Sequence, residues 1–384
     1  MKPFNRLTSA MPASGIRKIY EMSQNIKGCM HLEAGQPDFR TPEHILEAIA
    51  QAARDGFTQY TSSKGIPDLV EAIARKVTEK NGFHAEPKNI VVSPGAVCSI
   101  MTTLLAVVEQ GDEVLIPDPA WPNYVSQMAV IGSTAVRYPL IPSLGFKIDF
   151  DALEKRVTPK TKAMIINTPG NPTGAVFKPE TVNKIVDFVN RHDLYLIADE
   201  VYEDIVFEGT HTSSGFFDEA GRVAVVFGFS KTYSATGLRI GYVVCEEKLA
   251  NLVTKLQQPL VSCPSSISQK ACVAALNGPQ DSIDEMVNVY KTRRDAVVDI
   301  LKKHNLYLYT PEGAFYILVD ISKTGMNSDE FACELLRERK VAVAPGDTFG
   351  EISSSFIRIA FCTDTESIIE GTNILCEYIN EISK

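Results

Sequence analysis

Several features are scarce in this chain, and each scarcity narrows what it can be. No stretch of about 18 apolar residues exists, so the sequence predicts no membrane-spanning helix. Positive charge is not in excess: 38 Lys and Arg stand against 47 Asp and Glu, a net −9 over 384 residues. That balance argues against a general nucleic-acid surface, which needs a basic face. None of the eight cysteines forms a Cys-x-x-Cys pair or neighbours a histidine at zinc spacing, and the six histidines are scattered. The expectation is no metal site, no structural disulfide and a reducing, cytoplasmic compartment. The start, Met1-Lys2-Pro3-Phe4-Asn5-Arg6, lacks the apolar core of a signal peptide. Internal repeats and low-complexity linkers are also missing.

What is present is a rhythm of short apolar strands and amphipathic helices. Thr41 to Arg54 reads as a helix, with Thr41 as cap, Pro42 in the first position and Ile45, Leu46, Ile49 and Ala53 on one face. Leu69 to Lys80 reads the same way. Strands are expected at 89–92, 113–116, 162–167, 194–198 and 223–227, with helices at 99–108 and 179–191 between them. Alternation of this kind predicts an α/β fold with a mostly parallel sheet flanked by helices. From Ile283 the pattern changes. A long helix to Lys303 precedes strands at 315–319, 341–344 and 355–360, a helix at 328–339 and a closing helix from Thr365. The expectation is a large domain over 45–285 and a smaller α+β domain over 286–384, with residues 1–44 as an arm and part of the smaller domain.

Chemistry concentrates in Phe229-Ser230-Lys231-Thr232-Tyr233-Ser234-Ala235-Thr236-Gly237-Leu238-Arg239-Ile240-Gly241-Tyr242. A desolvated lysine amine can form a Schiff base. An arginine eight residues on can grip a phosphate with its planar fork. Together these are what pyridoxal 5′-phosphate (PLP) requires. Other segments join this run. Asp199 closes an expected strand; alone it could cap a helix, but a carboxylate there can also keep a pyridine nitrogen protonated. Asn167-Thr168-Pro169-Gly170-Asn171-Pro172-Thr173-Gly174 is by composition a rigid turn. Ser93-Pro94-Gly95-Ala96-Val97 opens a helix and offers an anion site. Trp121, the single tryptophan, lies in Asp118-Pro119-Ala120-Trp121-Pro122-Asn123-Tyr124. Arg358 sits inside the apolar strand Ser355-Phe356-Ile357-Arg358-Ile359-Ala360, where it needs either an internal salt bridge or a ligand.

This constellation, in this order from Gly35 to Arg358, resembles the class I/II aminotransferases, the fold-type-I PLP enzymes, in the subgroup of aspartate and broad-specificity members. The resemblance implies a role for each segment. Lys231 would hold the cofactor and move the proton. Asp199 would meet the ring nitrogen, and Asn171 and Tyr202 the phenolic oxygen. Gly95, Ala96, Val97, Ser230 and Arg239 would bind the phosphate, and Trp121 would stack on the ring. Gly35, Asn171 and Arg358 would hold the substrate carboxylate. Tyr60 would reach the phosphate in a partner's site, making a homodimer with shared active sites. Small-molecule amino acids and 2-oxo acids are the implied partners, in ping-pong transamination.

Three positions depart from the family pattern. Gly228 replaces a serine that binds phosphate in many relatives. Val97 stands where some aspartate-specific members carry a lysine. Ile16, in the N-terminal arm, gives the side-chain pocket an apolar wall, although Arg17 or Lys18 could still supply charge. These departures point to broad, neutral or aromatic donors rather than strictly aspartate. The same residues would also serve a PLP-dependent lyase that eliminates a thiol, because loss of the Cα proton is common to both. An aminotransferase-like regulatory domain would need a DNA-binding segment, and no basic helix-turn-helix is expected ahead of the arm.

Overall fold

The structure is a computed structural model that describes every residue except Met1, Pro3, Ala10, Pro12, Ala13 and Lys384. Ala13, which belongs to the arm segment around Ile16, therefore lies outside the described residues. An eight-stranded sheet organises the chain. Across it the order is Ile90–Ser93, Gly241–Val244, Val223–Gly228, Tyr195–Asp199, Thr161–Asn167, Glu113–Asp118, Thr134–Ile141 and Lys147–Ile148. The five strands from Val223–Gly228 to Thr134–Ile141 run parallel. Gly241–Val244 is antiparallel to both neighbours, and Lys147–Ile148 closes the far edge antiparallel.

Alternation along the strands sets the layers. Val91, Ile165, Ile197, Val226 and Val243 pack on one face against Leu104 of the Ala96–Val107 helix, Met128 of Asn123–Ile131 and Val253 of Glu247–Val261. Their strand neighbours Val92, Ile166, Leu196 and Phe227 share the opposite cluster with Ile73 of Pro67–Lys76 and Ile185 of Pro179–Arg191. Helices therefore cover both faces, which is why these strands read as continuous apolar runs. Each such side chain, withdrawn from water, contributes about 1.5–3 kcal/mol.

Strand register assembles the site. Asn167 lies beside Asp199, Gly228 beside Gly241, and Gly241 beside Ser93. Four of the sequence segments singled out above thus end along one edge, beyond the carboxyl ends of the parallel strands, where ligands bind in open α/β sheets. A second sheet of Tyr316–Asp320, Phe356–Ala360 and Ala344–Pro345 supplies Arg358. The Ala360 N–H donates to the Leu32 carbonyl, and Met30–His31 pairs with Val341–Ala342, so the segment leading to Gly35 is held beside the Arg358 strand.

Some expectations need correction. Thr41 does not cap its helix. Glu43–Arg54 starts after Pro42 without a side-chain cap, and the Thr41 hydroxyl donates to the Ser234 carbonyl at 2.8 Å. The helix expected to Lys80 ends at Lys76 and widens into a π turn over Val77–Asn81. The strand expected over 341–344 is two short strands in different sheets. Four strands, Met30–His31, Thr134–Ile141, Lys147–Ile148 and Gly241–Val244, were not anticipated.

Candidate active site

Lys231 stands in the short helix Phe229–Thr232, directly after the Val223–Gly228 strand. It borders a cavity of about 450 Å³. Its Nζ donates to the Gly35 carbonyl at 2.6 Å. Burial disfavours the charged amine and, with the positive charges of Arg358 and Arg239 nearby, lowers it to about 8 against the pull of Cys362 and Asp199. A lysine so tuned keeps a useful neutral fraction near pH 7 and can act as a nucleophile.

One end of the cavity suits a phosphate. Gly95 precedes the Ala96–Val107 helix at φ +81° and provides no side-chain cap. The first N–H groups of a helix have no partners within it, and Ala96 and Val97 form part of the cavity wall. A Cβ on Gly95 would lie 2.6 Å from Arg239 Nη2, so glycine is what lets the guanidinium close over this turn. Arg239 itself is held at φ +53° with its Nη1 donating to the Thr236 carbonyl at 2.9 Å; a left-handed non-glycine residue is strained, and such strain collects at functional sites. Ser230 lies at the same wall.

The floor is a chain of buried polar groups. Asp199 is pushed up to about 6 by burial, against hydrogen bonds that hold its charge. Tyr124 donates to Asp199 Oδ2 at 2.5 Å, and the Val201 N–H donates to Oδ1 at 3.4 Å. The Asn167 amide donates to the Asp199 carbonyl at 2.9 Å, and its own oxygen accepts from the Asn171 N–H at 2.7 Å. Tyr202 shares a 3.0 Å hydroxyl–hydroxyl bond with Tyr316. Burial holds the Tyr202 phenol well above its ordinary range, so it stays protonated and can donate.

At the far wall Arg358 is only 2% exposed. Its Nη1 donates to Asn171 Oδ1 at 2.9 Å and its Nη2 to the Glu33 carbonyl at 2.5 Å, while Nε has no partner among the described residues. The faces of Tyr316 and Phe349 lie 4.4 and 4.9 Å from the guanidinium carbon. The internal salt bridge considered for this residue is absent among the described residues. A buried cation without a carboxylate is expensive, and it sits where an anion can reach it.

The wall between these ends is apolar. Ile16 of the Gly15–Ser23 helix, Val97 and Trp121 line it together. Trp121 meets Tyr124 edge-on, with ring centroids 5.5 Å apart. Arg17 and Lys18 do not line this cavity, although Arg17 lines an adjoining one with Ile16 and Trp121. Arg17 pairs with Glu21 at 2.8 Å and Lys18 with Asp329 at 2.6 Å.

The cavity thus joins Lys231, Asp199, Tyr202, Asn171, Ala96, Val97, Trp121, Ser230, Arg239, Gly35, Arg358 and Ile16. Gly95 lies just beneath Arg239. Tyr60 is not at this cavity; it is 89% exposed in the loop after the Glu43–Arg54 helix. Sequence reasoning missed Tyr124 and Tyr316. Tyr124 follows Trp121 by three residues, about one helical turn, which was a usable signal. Tyr316 had none, because its hydroxyl bond spans 114 residues.

These residues fit PLP. A glycine-built cradle under an arginine, a deprotonable lysine and a buried carboxylate match its phosphate, its aldehyde and its ring nitrogen in kind. Comparison with known proteins agrees. The family described as aminotransferase class I and II matches residues 27–373. Aromatic-amino-acid aminotransferase 2 of Thermococcus litoralis is 37% identical, with 98% of each chain covered. A probable aspartate/prephenate aminotransferase of Aquifex aeolicus is 38% identical over 91% of this chain and 90% of its own. The structure of aspartate aminotransferase from Thermus thermophilus with maleate superposes with a TM-score of 0.94 at 30% identity, covering 98% of this chain and 100% of that one. The chain belongs to the class I and II aminotransferases and is a PLP-dependent transaminase.

Proposed function

We propose that this transaminase accepts neutral and aromatic amino donors in preference to aspartate, and that the residues gathered at the cavity act as follows. Arg239, Ser230 and the helix start at Gly95–Val97 hold the cofactor phosphate. Asp199, backed by Tyr124, meets the ring nitrogen, and Trp121 lies against the ring. Asn171 and Tyr202 donate to the phenolic oxygen. When bound, the cofactor supplies an electron sink that makes the substrate Cα–H acidic. Lys231 Nζ takes that proton from Cα as general base and would deliver it as general acid to the cofactor's C4′ carbon. Gly35 and Arg358 fix the substrate carboxylate, which orients the Cα–H for removal rather than the carboxylate for loss.

One observation carries the reading: Arg358 is buried without an acidic partner among the described residues, at the same cavity as a lysine lowered to about 8. Donor preference rests on Val97 and Ile16, which leave the intervening wall without a free cation. The Thermococcus relative, named for aromatic substrates, supports it. A large cofactor-binding unit over 45–285, with 1–44 and 286–384 forming a smaller one, is supported by the pairing of Met30–His31 with Val341–Ala342. A homodimer is supported by Tyr60, a large ring left in water on one chain. Cytoplasmic residence is part of the same proposal. No helix among the described residues is long and apolar enough to cross a membrane.

The test is to titrate the holoenzyme with single amino acids, without an acceptor, while following its near-UV and visible absorption. Phenylalanine, tyrosine and alanine should convert the cofactor band at least about tenfold more efficiently than aspartate, a difference of about 1.4 kcal/mol. Aspartate leading would overturn the specificity. Ammonia release with an unchanged band would mean elimination.

A further inference from the structure

Tyr316 touches both halves of the site. Its hydroxyl lies 3.0 Å from that of Tyr202, and its ring lies 4.4 Å beneath the guanidinium carbon of Arg358. It belongs to the Tyr316–Asp320 strand, which pairs directly with the Arg358 strand: Leu318, two residues on, stands opposite Arg358. The ring is wedged in place by Phe315 and by Tyr202, at centroid distances of 4.7 and 5.8 Å.

Gly35 is shaped to this hydroxyl. A Cβ there would fall 2.2 Å from the Tyr316 hydroxyl oxygen and 3.1 Å from the adjoining ring carbon. Any larger residue would push the phenol away from Tyr202. The carbonyl of the same Gly35 accepts from Lys231. Three functional groups therefore meet around one tyrosine: the lysine through Gly35, the phenolic-oxygen donor through Tyr202, and the carboxylate clamp through the ring face.

We propose that Tyr316 is a positioning residue that links Tyr202 to Arg358. This rests on the roles given above to those two residues. With the Tyr202 proton turned toward the phenolic oxygen, Tyr316 is the donor in the bond that the two hydroxyls share. A hydroxyl that accepts one hydrogen bond becomes a stronger donor of the next, so Tyr202 grips the cofactor's phenolic oxygen more firmly. Its ring offers Arg358 a negative face without neutralising it. The guanidinium is held flat and ready, yet its charge stays available to a substrate carboxylate. An acidic residue in the same place would hold Arg358 as well but would compete with that carboxylate.

The two contacts are separable by mutation. Tyr316→Phe removes the hydroxyl and keeps the ring. Tyr316→Leu removes both. The readouts are the pH midpoint of the cofactor's visible band in the holoenzyme and the dissociation constant for a slow amino acid, read from the same band. The ionisable groups facing the tyrosine pair are Arg358, Cys362, Asp199, Tyr124, Tyr290 and Lys231. None of them is substituted in either variant.

Tyr316→Phe should raise the midpoint by about half a unit, because weaker donation leaves more negative charge on the phenolic oxygen beside the imine. Amino-acid binding should stay within about twofold, since the ring under Arg358 remains. Tyr316→Leu should show the same midpoint rise and also weaken amino-acid binding about tenfold, equivalent to 1.4 kcal/mol. Gly35→Ala should reproduce the midpoint rise by displacing the hydroxyl. Tyr202→Phe serves as the reference, with a larger rise that Tyr316→Phe does not increase in the double variant. A midpoint that moves with Tyr202→Phe but not with Tyr316→Phe overturns the link alone. A midpoint indifferent to Tyr202→Phe overturns the role of Tyr202 and the link together.

Discussion

Arg358 and Arg293 are both almost wholly buried, yet they are satisfied in opposite ways. Arg293, in the Asp281–Lys303 helix, forks onto Asp38 with bonds of 2.9 and 2.8 Å and adds the Phe361 carbonyl and the Thr365 hydroxyl. It is 6% exposed. Its neighbour Arg294 likewise has Glu208 and Asp295. Arg358 has an amide oxygen, a carbonyl and two aromatic faces, and no acid among the described residues. The difference separates an arginine that closes the fold from one that waits for a substrate. In the first, the counter-ion is part of the chain. In the second, the substrate brings it, and the unpaired charge is tolerated because neutral acceptors and ring faces share it.

Substitution of the two arginines should therefore give opposite profiles. Arg358→Met should lower kcat/KM about 10³-fold, since truncating a desolvated charge partner costs about 2–5 kcal/mol. Its cofactor-free form should unfold at the same denaturant concentration as the parent or higher, because an uncompensated buried charge has gone. Arg293→Met strands Asp38 instead. It should lose about 3 kcal/mol in urea unfolding while the folded enzyme keeps kcat/KM within about threefold. A collapse of activity without loss of stability in Arg293→Met would break the comparison.

Lys231 adds a pH signature. Its amine sits at about 8 in the folded chain against 10.5 for a free lysine. Below about 8 it is protonated in folded and unfolded chains alike, and the cost of burying that charge is fully present. Between 8 and 10.5 the unfolded chain holds the extra proton, so its contribution to the stability of the cofactor-free protein rises with pH across that window. Only the neutral amine attacks the cofactor aldehyde. Reconstitution should therefore speed up about tenfold per pH unit and level off near 8, as stopped-flow absorbance would report.

Smaller effects sharpen the contrast between the two ends of the cavity. Val97→Lys should raise the aspartate-to-phenylalanine ratio of kcat/KM about tenfold by placing a cation on the apolar wall. Gly228→Ser should slow cofactor loss on dilution about fivefold, the worth of one hydrogen bond of about 1 kcal/mol. The site has room for it: a Cβ at Gly228 meets nothing nearer than 3.6 Å, from Ala96 and Val201.

How much of this was legible beforehand follows from where the information lies. The helices at 179–191 and 328–339 have the limits expected from their patterns, because Pro179 at the first start, the Asn327 cap at the second and both apolar faces are local. Thr41 misled because a cap-like residue found a better partner, Ser234, 193 positions away. Gly241–Val244 was hidden inside the lysine–arginine run, and its antiparallel direction depends on neighbours on both sides. Part of the cavity was readable from local pattern, since Asn167 and Asp199 come at the ends of strands and Ala96 opens a helix, whereas Arg358 lies mid-strand and Trp121 and Tyr202 lie outside strands and helices. The hydroxyl bonds of Tyr124 and Tyr316 were not, since a hydrogen bond across 75 or 114 residues leaves no trace in local pattern, and only the spacing of Tyr124 from Trp121 hinted at its place. Nor could the sequence say whether Arg358 had an acid beside it.

The most direct test of the central claim is to reduce the holoenzyme with borohydride, digest it and locate the label by mass spectrometry. The account predicts a phosphopyridoxyl group on Nζ of Lys231 and on no other lysine. Label on a different lysine in enzyme that still turns over would contradict it.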